Sequence, residues 1–341
     1  MPVTYCRQFY LPLWRGALNA RLYAWSARRQ LSRLVHELSP RFLWASFAFP
    51  DGCGMAIEAR RHDLPYVISM LGSDINLNRR HHSRWRVIVD TLKGAKLIFA
   101  KSRALKDKVV EAGVPEEKVI LDYNGVDQDL FRPGDRTEAC RALGLGPAVK
   151  RALFVGNLVA IKDVATLIRA FARISSEVKG LQLVLIGSGP EEPRLRQLAV
   201  ELGLSLADST HTPIHPHTNT LLFAGRKSRD EVARWMRACD VLCLPSLNEG
   251  VPNVVLEGLA SGTPVVASRV GGIPEVHAGD PVGALFESGS VTELAMALQR
   301  VLASPWDSAK LRLTVSAYTW AHNAQIIKEA LVQAGLCLEG K

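Results

Sequence analysis

Long apolar runs, paired cysteines and clustered metal ligands are what this 341-residue sequence lacks. No stretch approaches the roughly 18 consecutive apolar residues of a membrane-spanning helix, which argues against a helical membrane protein. The opening has no basic segment followed by an apolar stretch, so no secretory leader is expected. Cys6, Cys53, Cys140, Cys239, Cys243 and Cys337 are scattered, and the one C-x-x-x-C pair has no histidine cluster beside it. That argues against both zinc and a disulfide framework, and predicts a reduced, cytoplasmic protein.

The hydrophobic share of 48% and the charged share of 22% suit a soluble globular body, and the length suits two domains. The formal charge of +9 is uneven: residues 1–136 carry 22 Lys and Arg against 14 Asp and Glu, and the remainder 20 against 19. Arg28, Arg29, Arg33, Arg41, Arg60, Arg61, Arg79, Arg80, Arg84 and Arg86 could sum into a field that attracts anionic lipid headgroups, a phosphorylated acceptor or nucleic acid. A solvated helix face explains the same residues. The first 31 residues mix Trp, Tyr and Leu with Arg, which suits either a peripheral contact with the inner face of a membrane or core packing.

Past residue 145, short apolar β-rich runs alternate with helical periodicity. Strands are predicted over 152–155, 181–186, 221–223, 241–244 and 264–267, and helices over 164–174, 194–202, 229–238 and from Asn253 onward. This predicts a doubly wound parallel α/β domain over 145–305. The earlier part alternates too, with helices over 20–38, 54–61, 84–92 and 103–111 and strands over 42–47, 66–70, 95–100 and 118–121. It reads as a second parallel α/β domain over 1–135, joined by a C-terminal helix over 308–341. Turn formers concentrate from Asn124-Gly125-Val126-Asp127 through Arg132-Pro133-Gly134-Asp135, which predicts the linker. Two such sheets would face each other and present the carboxyl ends of their strands across a cleft. The polar, Pro-punctuated run from Ser205 to Thr220 reads as a surface insertion. Its His211, His215 and His217 are expected to form a mobile loop and no metal site, because prolines between them prevent a helix.

The strongest signal is the run from Pro245 to Val266, which contains Glu249-Gly250-Val251-Pro252-Asn253-Val254-Val255-Leu256-Glu257. It follows a buried strand and opens a helix. A helix start offers unpaired backbone N–H groups and partial positive charge, which suit a diphosphate. Glu249 and Glu257 can flank that anion site and accept hydrogen bonds from sugar hydroxyls. Either glutamate alone would be explained as an acidic residue offsetting the helix dipole.

The combined string resembles the E-x7-E region of group 1 (family 4) glycosyltransferases, with Gly271-Gly272-Ile273-Pro274-Glu275 also typical of them. The resemblance extends over roughly 45–320 and implies two facing Rossmann-like doubly wound domains of the GT-B type. It implies that Glu249 contacts the donor sugar, that Glu257 contacts the nucleotide ribose, and that the backbone around Gly250, Pro252, Asn253 and Val254 holds sugar hydroxyls and phosphate. The run Phe154-Val155-Gly156-Asn157-Leu158-Val159-Ala160-Ile161-Lys162 is similar to the family's strand-and-loop motif. There Lys162 would neutralise the diphosphate, and Asn157 stands where an Arg is usual. Gly187 lies at the end of the next strand, and Gly225 and Arg226 sit where the base is bracketed. In the first domain, Leu71-Gly72-Ser73-Asp74 resembles the strand-end motif near the reacting centre, with Leu71 where a His is frequent, and Asp74 is assigned to catalysis with Glu249 and Lys162.

The resemblance implies a retaining hexosyl or related glycosyltransferase that uses a nucleotide diphosphate sugar, needs no metal or other cofactor, and serves polysaccharide or glycolipid biosynthesis with a glycan or lipid-linked acceptor. Asp127-Gln128-Asp129 then reads as a turn or helix cap and not as a metal-binding D-x-D. Members of the family open with a strand and a Gly-rich loop, which this sequence lacks before Ala20. The first domain is therefore expected to be incomplete by some tens of residues and poorly stable by itself, because a lost central strand exposes backbone and apolar surface. A catalytically impaired nucleotide-sugar-binding partner protein is the alternative reading. Nucleic acid is not expected as a partner, since no aromatic-basic recognition motif accompanies the basic residues.

Overall fold

The computed structural model of the chain describes all residues except 1, 2, 4, 10, 12–15, 176, 178, 179, 208–218, 278, 279 and 338–341. It contains two parallel-sheet α/β units, one formed by residues 1–123 with 321–341 and the other by 124–320.

The first unit runs α1 (Gly16–Leu38), β1 (Leu43–Ser46), α2 (Cys53–Arg61), β2 (Tyr66–Met70), α3 (Ser73–Asn76), α4 (His82–Gly94), β3 (Leu97–Ala100), α5 (Arg103–Glu111) and β4 (Val119–Leu121). Its four strands are parallel in the order β1-β2-β3-β4. β2 and β3 are buried along their whole length, as expected of parallel strands covered on both faces. One face packs Ile68, Met70 and Ile98 against Ala56, Ile88, Leu92 and Val109 of the helices. The other packs Val67, Leu97 and Phe99 against Ala330, Leu331 and Leu336 near the end of the chain. β1 is an edge strand whose Trp44 stacks on Phe99 at 5.2 Å and donates its indole N–H to Ser69 Oγ at 2.9 Å.

The second unit continues with α6 (Arg136–Ala142), β5 (Lys150–Val155), α7 (Val164–Ile174), β6 (Leu181–Ile186), α8 (Glu192–Glu201), β7 (Ser205–Ala207), β8 (Thr220–Gly225), α9 (Arg229–Ala238), β9 (Val241–Leu244), α10 (Asn253–Ala260), β10 (Val265–Ser268), α11 (Ile273–Val276), β11 (Gly283–Phe286), α12 (Val291–Ala303) and α13 (Ser308–Leu313). Its seven parallel strands lie in the order β11-β10-β9-β5-β6-β8-β7. The chain starts at β5, works outward to one edge, and returns to the other side of β5 as β9. Ser228 and Glu231 form a reciprocal capping box at the start of α9.

The start of the run expected to be a surface insertion is a strand. Ser205–Ala207 is the edge strand β7, paired to β8 from Ser205↔Thr220 to Ala207↔Leu222, while the histidines His211, His215 and His217 lie outside the described residues. The turn-rich segment 124–135 packs within the second unit: Val126 N–H donates to Tyr318 O at 2.9 Å, and Gln128 Nε2 donates to Val315 O at 3.1 Å. Asp127 Oδ1 accepts the N–H of Leu130 at 3.1 Å, in the manner of a turn cap. Among the described residues, the segment from 308 onward contains two helices, α13 and α14 (Trp320–Gln333), and not one. α14 is tied to the first unit by Asn323, which donates to Asp122 Oδ1 and, at 2.8 Å, to Tyr123 O. All six cysteines are free thiols.

Candidate functional site

In an open parallel sheet, ligands bind outside the carboxyl ends of the strands where the strand order reverses. In the second unit that point lies between β5 and β9, paired through Ala152↔Val241 and Leu153↔Leu242. The loops leaving these two strands carry Lys162 and Glu249. Lys162 Nζ lies 2.5 Å from Glu249 Oε1, and the two side chains are 21% and 12% exposed. Leu247 N–H donates to Ile161 O at 2.8 Å, so the loops are also joined through their backbones.

Glu249 is held from several sides. Ser246 is fully buried, and its Oγ donates to Glu249 Oε1 at 2.6 Å. Ser246 O in turn accepts Ser268 Oγ at 2.5 Å and Ser288 Oγ at 3.3 Å. Gly271 has φ 53° and presses so closely on the Glu249 backbone that a Cβ there would lie 1.9 Å from Glu249 O. Gly272 N–H donates to Gly250 O at 2.8 Å. The part played by Ser246 and Ser268 has no periodicity or spacing signal in the sequence, because it depends on where two hydroxyls point.

α10 begins at Asn253 behind Pro252, which supplies no side-chain cap. The first N–H groups of a helix have no intrahelical acceptor, so this uncapped turn offers donors to an anion. Asn253 is exposed, with its Oδ1 accepting Asn124 Nδ2 at 2.7 Å, Val254 is half-buried and Gly250 lies in the loop beside Glu249. Glu257 follows in the second turn. Burial pushes its carboxyl above the ordinary range, and Arg229 opposes that shift.

The neighbouring strand ends complete a cradle of backbone. Gly156 N–H donates to Ile186 O, and Gly187 N–H to Gly225 O, each at 2.9 Å. Gly187 sits at φ 138° with its Cα against Gly156 O, where a Cβ would approach to 1.9 Å. Only glycine meets both conditions. Asn157 is exposed at the top of this loop, and Arg226 Nε donates to Ser188 Oγ at 2.7 Å. The structure thus gathers Gly156, Asn157, Lys162, Gly187, Gly225, Arg226, Glu249 and the start of α10 at the carboxyl ends of β5, β6, β8 and β9.

Asp74 belongs to the first unit, at the carboxyl end of β2. It is 3% exposed; Oδ2 accepts Ala48 N–H at 2.6 Å, and Oδ1 accepts the N–H groups of Gly72 at 2.8 Å and Leu71 at 3.1 Å. Burial raises its carboxyl pKa, and these backbone bonds oppose the rise. The carboxylate therefore pins the Leu71–Gly72 turn to the chain after β1.

Residues 149–304 match the family described as glycosyl transferases group 1, and residues 5–130 match glycosyltransferase family 4. The chain is 30% identical over 289 residues to N-acetyl-alpha-D-glucosaminyl L-malate synthase of Bacillus anthracis, covering 84% of this chain and 69% of that protein. This chain belongs to the group 1, family 4 glycosyltransferases. It is also 34% identical over 223 residues to a D-inositol 3-phosphate glycosyltransferase of Nocardioides sp., where the match spans 61% of this chain and 47% of that protein. The chain thus spans only about half the length of that relative. Among solved structures, HepE of Anabaena in complex with UDP and glucose superimposes with a TM-score of 0.72 at 22% identity, over 89% of this chain and 81% of that one. The likeness establishes the GT-B-type fold of this family member.

Proposed function

We propose that this family member transfers a glycosyl group from a nucleotide diphosphate sugar to a glycan or lipid-linked acceptor, with retention at the anomeric carbon. The observation that carries the reading is the Lys162–Glu249 pair at the switch point of the second sheet, set before the uncapped start of α10 with Glu257 behind it. In this reading the diphosphate lies against the N–H groups of α10, and Lys162 turns from Glu249 to the phosphate. Glu249, released, accepts hydroxyls of the donor sugar. Glu257, ionised, accepts the two ribose hydroxyls. As the glycosidic bond lengthens, positive charge grows on the sugar carbon and negative charge on the departing diphosphate. Lys162 and the helix start stabilise the latter, and the departing phosphate accepts the acceptor's proton. With those two sources of positive charge the leaving group needs no metal ion, and chelation is expected to leave turnover unchanged.

HepE was solved with UDP, which makes uridine nucleotides the first donors to try. We place the reaction in polysaccharide or glycolipid synthesis on the cytoplasmic side, with the basic first unit touching an anionic membrane surface. The test is a panel of UDP-, GDP- and ADP-sugars, followed by nucleotide release with and without chelator, and by the anomeric configuration of the product in proton NMR. Release from one donor, with a product of unchanged configuration, is the expected result. Release that requires a divalent cation, or an inverted product, would remove the corresponding part of the reading.

A further inference from the structure

The second half of α9 carries Arg234 and Arg237, three positions apart and so on one face of the helix, where like charges repel each other. The turn-rich segment ahead of α6 brings a third arginine to them. Arg132, Arg234 and Arg237 line one cavity of about 320 Å³, together with Gly134, Asp135 and Glu138 among others. The cavity is separate from the donor site. α9 follows the carboxyl end of β8 and delivers the chain to the amino end of β9, so its second half lies toward the amino ends of the strands. Lys162, Glu249 and the start of α10 lie beyond the carboxyl ends.

The three guanidinium groups are close neighbours. The side chain of Arg237 lies across Gly134, where a Cβ would come within 2.8 Å of Arg237 Cδ. The bare backbone at 134 thus lets Arg237 reach from α9 to the segment that holds Arg132. Burial, then the charges of Arg132 and Arg234, lower the pKa of Arg237, and Glu138 opposes them.

Other arginines nearby are engaged. Arg136 Nη2 lies 2.9 Å from Asp240 Oδ2, and Arg229 lies 3.9 Å from Asp127 and 5.6 Å from the centre of the Phe131 ring. Among the described residues, no hydrogen bond or ion pair engages the side chain of Arg132, Arg234 or Arg237. Of the two acids at the cavity, Asp135 already caps α6, its Oδ1 accepting Glu138 N–H at 2.8 Å. That leaves the exposed Glu138 facing three guanidiniums. An anion among them would relieve their repulsion. A carboxylate offers two oxygens, which one guanidinium fork satisfies, whereas a phosphate offers three or four and can engage several forks at once. The volume falls at the lower end of the roughly 300–1,000 Å³ of small-molecule sites, which suits a phosphate with a small organic group.

From this geometry we infer that the cavity between the turn-rich segment and α9 binds a phosphate group on Arg132, Arg234 and Arg237, either as inorganic phosphate or as the head of a small phosphomonoester. The inference does not depend on the donor reading, because binding is measured without nucleotide sugar.

The full chain is titrated calorimetrically at constant ionic strength with inorganic phosphate, glycerol 3-phosphate and succinate. The expected result is that at least one phosphate binds and that succinate binds at least about tenfold more weakly. A preference for glycerol 3-phosphate identifies a monoester ligand, and equal binding identifies the phosphate group alone. Arg132 and Arg234 are both exposed, so the fold tolerates Arg132→Gln with Arg234→Gln, and the ligand-free thermal midpoint of that variant checks it. The variant should bind phosphate about tenfold more weakly or worse, since the loss of one charge-assisted hydrogen bond has that effect. Bound phosphate should slow hydrogen exchange in residues 132–142 and 229–238. The proposal is overturned if neither phosphate binds, if succinate binds as well as phosphate, or if the arginine variant binds like the parent. Protection confined to residues 250–258 would place the phosphate at the start of α10 and equally overturn it.

Discussion

Lys162 and Glu249 lie 87 residues apart in sequence and 2.5 Å apart in space, at the point in the second sheet where β5 is flanked by β6 on one side and β9 on the other. The pair holds each charge ready while no ligand is present. Both side chains are largely shielded from water, so removing one partner leaves the other partly buried and uncompensated. Lys162→Met and Glu249→Gln should each destabilise the folded chain by about 1–3 kcal/mol, and the double variant should lose less than the sum of the two. Chemical denaturation of the four proteins measures this. Additive losses would mean that the two side chains act separately.

Ser246 acts on Glu249 and not on substrate. Its hydroxyl fixes one carboxylate oxygen at 2.6 Å. Ser246→Ala should lower kcat about tenfold, a loss of about 1.4 kcal/mol in the transition state, with KM for the donor changed little. A change confined to KM would contradict a positioning role.

Glu257 predicts a pH dependence. Its folded pKa is raised above the ordinary 4.5, chiefly by burial. The neutral form is thus the one the fold favours, and its contribution to stability is complete below pH 4.5 and lost as pH rises through the raised value. Glu257→Gln should accordingly become more stable than the parent on the neutral side of that window and gain nothing on its acid side. Affinity for a nucleoside diphosphate should move the opposite way in the parent, rising over the same window as the carboxylate forms, and should be flat in the variant. Thermal midpoints and binding constants measured from acid to neutral pH check both slopes.

Gly271 cannot be replaced quietly. With φ 53° and a prospective Cβ 1.9 Å from Glu249 O, Gly271→Ala should cost about 1–2 kcal/mol in backbone strain alone and displace the Glu249 loop. Donor binding should fall further than the fall in stability explains. An alanine variant that binds donor normally would show that the loop tolerates the shift.

Asp74→Ala should be mainly a stability variant. It strips three backbone N–H groups, those of Ala48, Leu71 and Gly72, of their acceptor in a buried turn. A loss of about 2–4 kcal/mol is expected, read from denaturant midpoints.

The elements that sequence reading placed best are those with an unbroken apolar period, both the fully buried strands and the amphipathic helices Arg103–Glu111 and Arg229–Ala238. The strands Leu181–Ile186 and Val241–Leu244 and the helix Val164–Ile174 have the bounds their apolar patterns predict. β7 was hidden because three residues beginning with a serine carry no pattern; it exists through its register with β8, a non-local pairing. The linker read at 124–135 showed its turns correctly, but the bonds that hold Val126 and Gln128 to residues 315–318 span nearly two hundred positions and leave no local trace. At the site, Glu249 and Glu257 were legible as a spaced motif, and Lys162 only through the family resemblance of the run 154–162. The Ser246 hydroxyl that orients Glu249 was not, nor was the binding of both Asp74 oxygens by backbone, since each depends on a side chain's direction.

The central claim is that Lys162, Glu257 and the start of α10 bind a nucleoside diphosphate. Calorimetric titration of the full chain with UDP, GDP and ADP tests it most directly, alongside Lys162→Met and Glu257→Gln. The account predicts that one nucleotide binds and that each variant binds it at least about tenfold more weakly. No binding of any of the three, or equal binding by parent and variants, would contradict it.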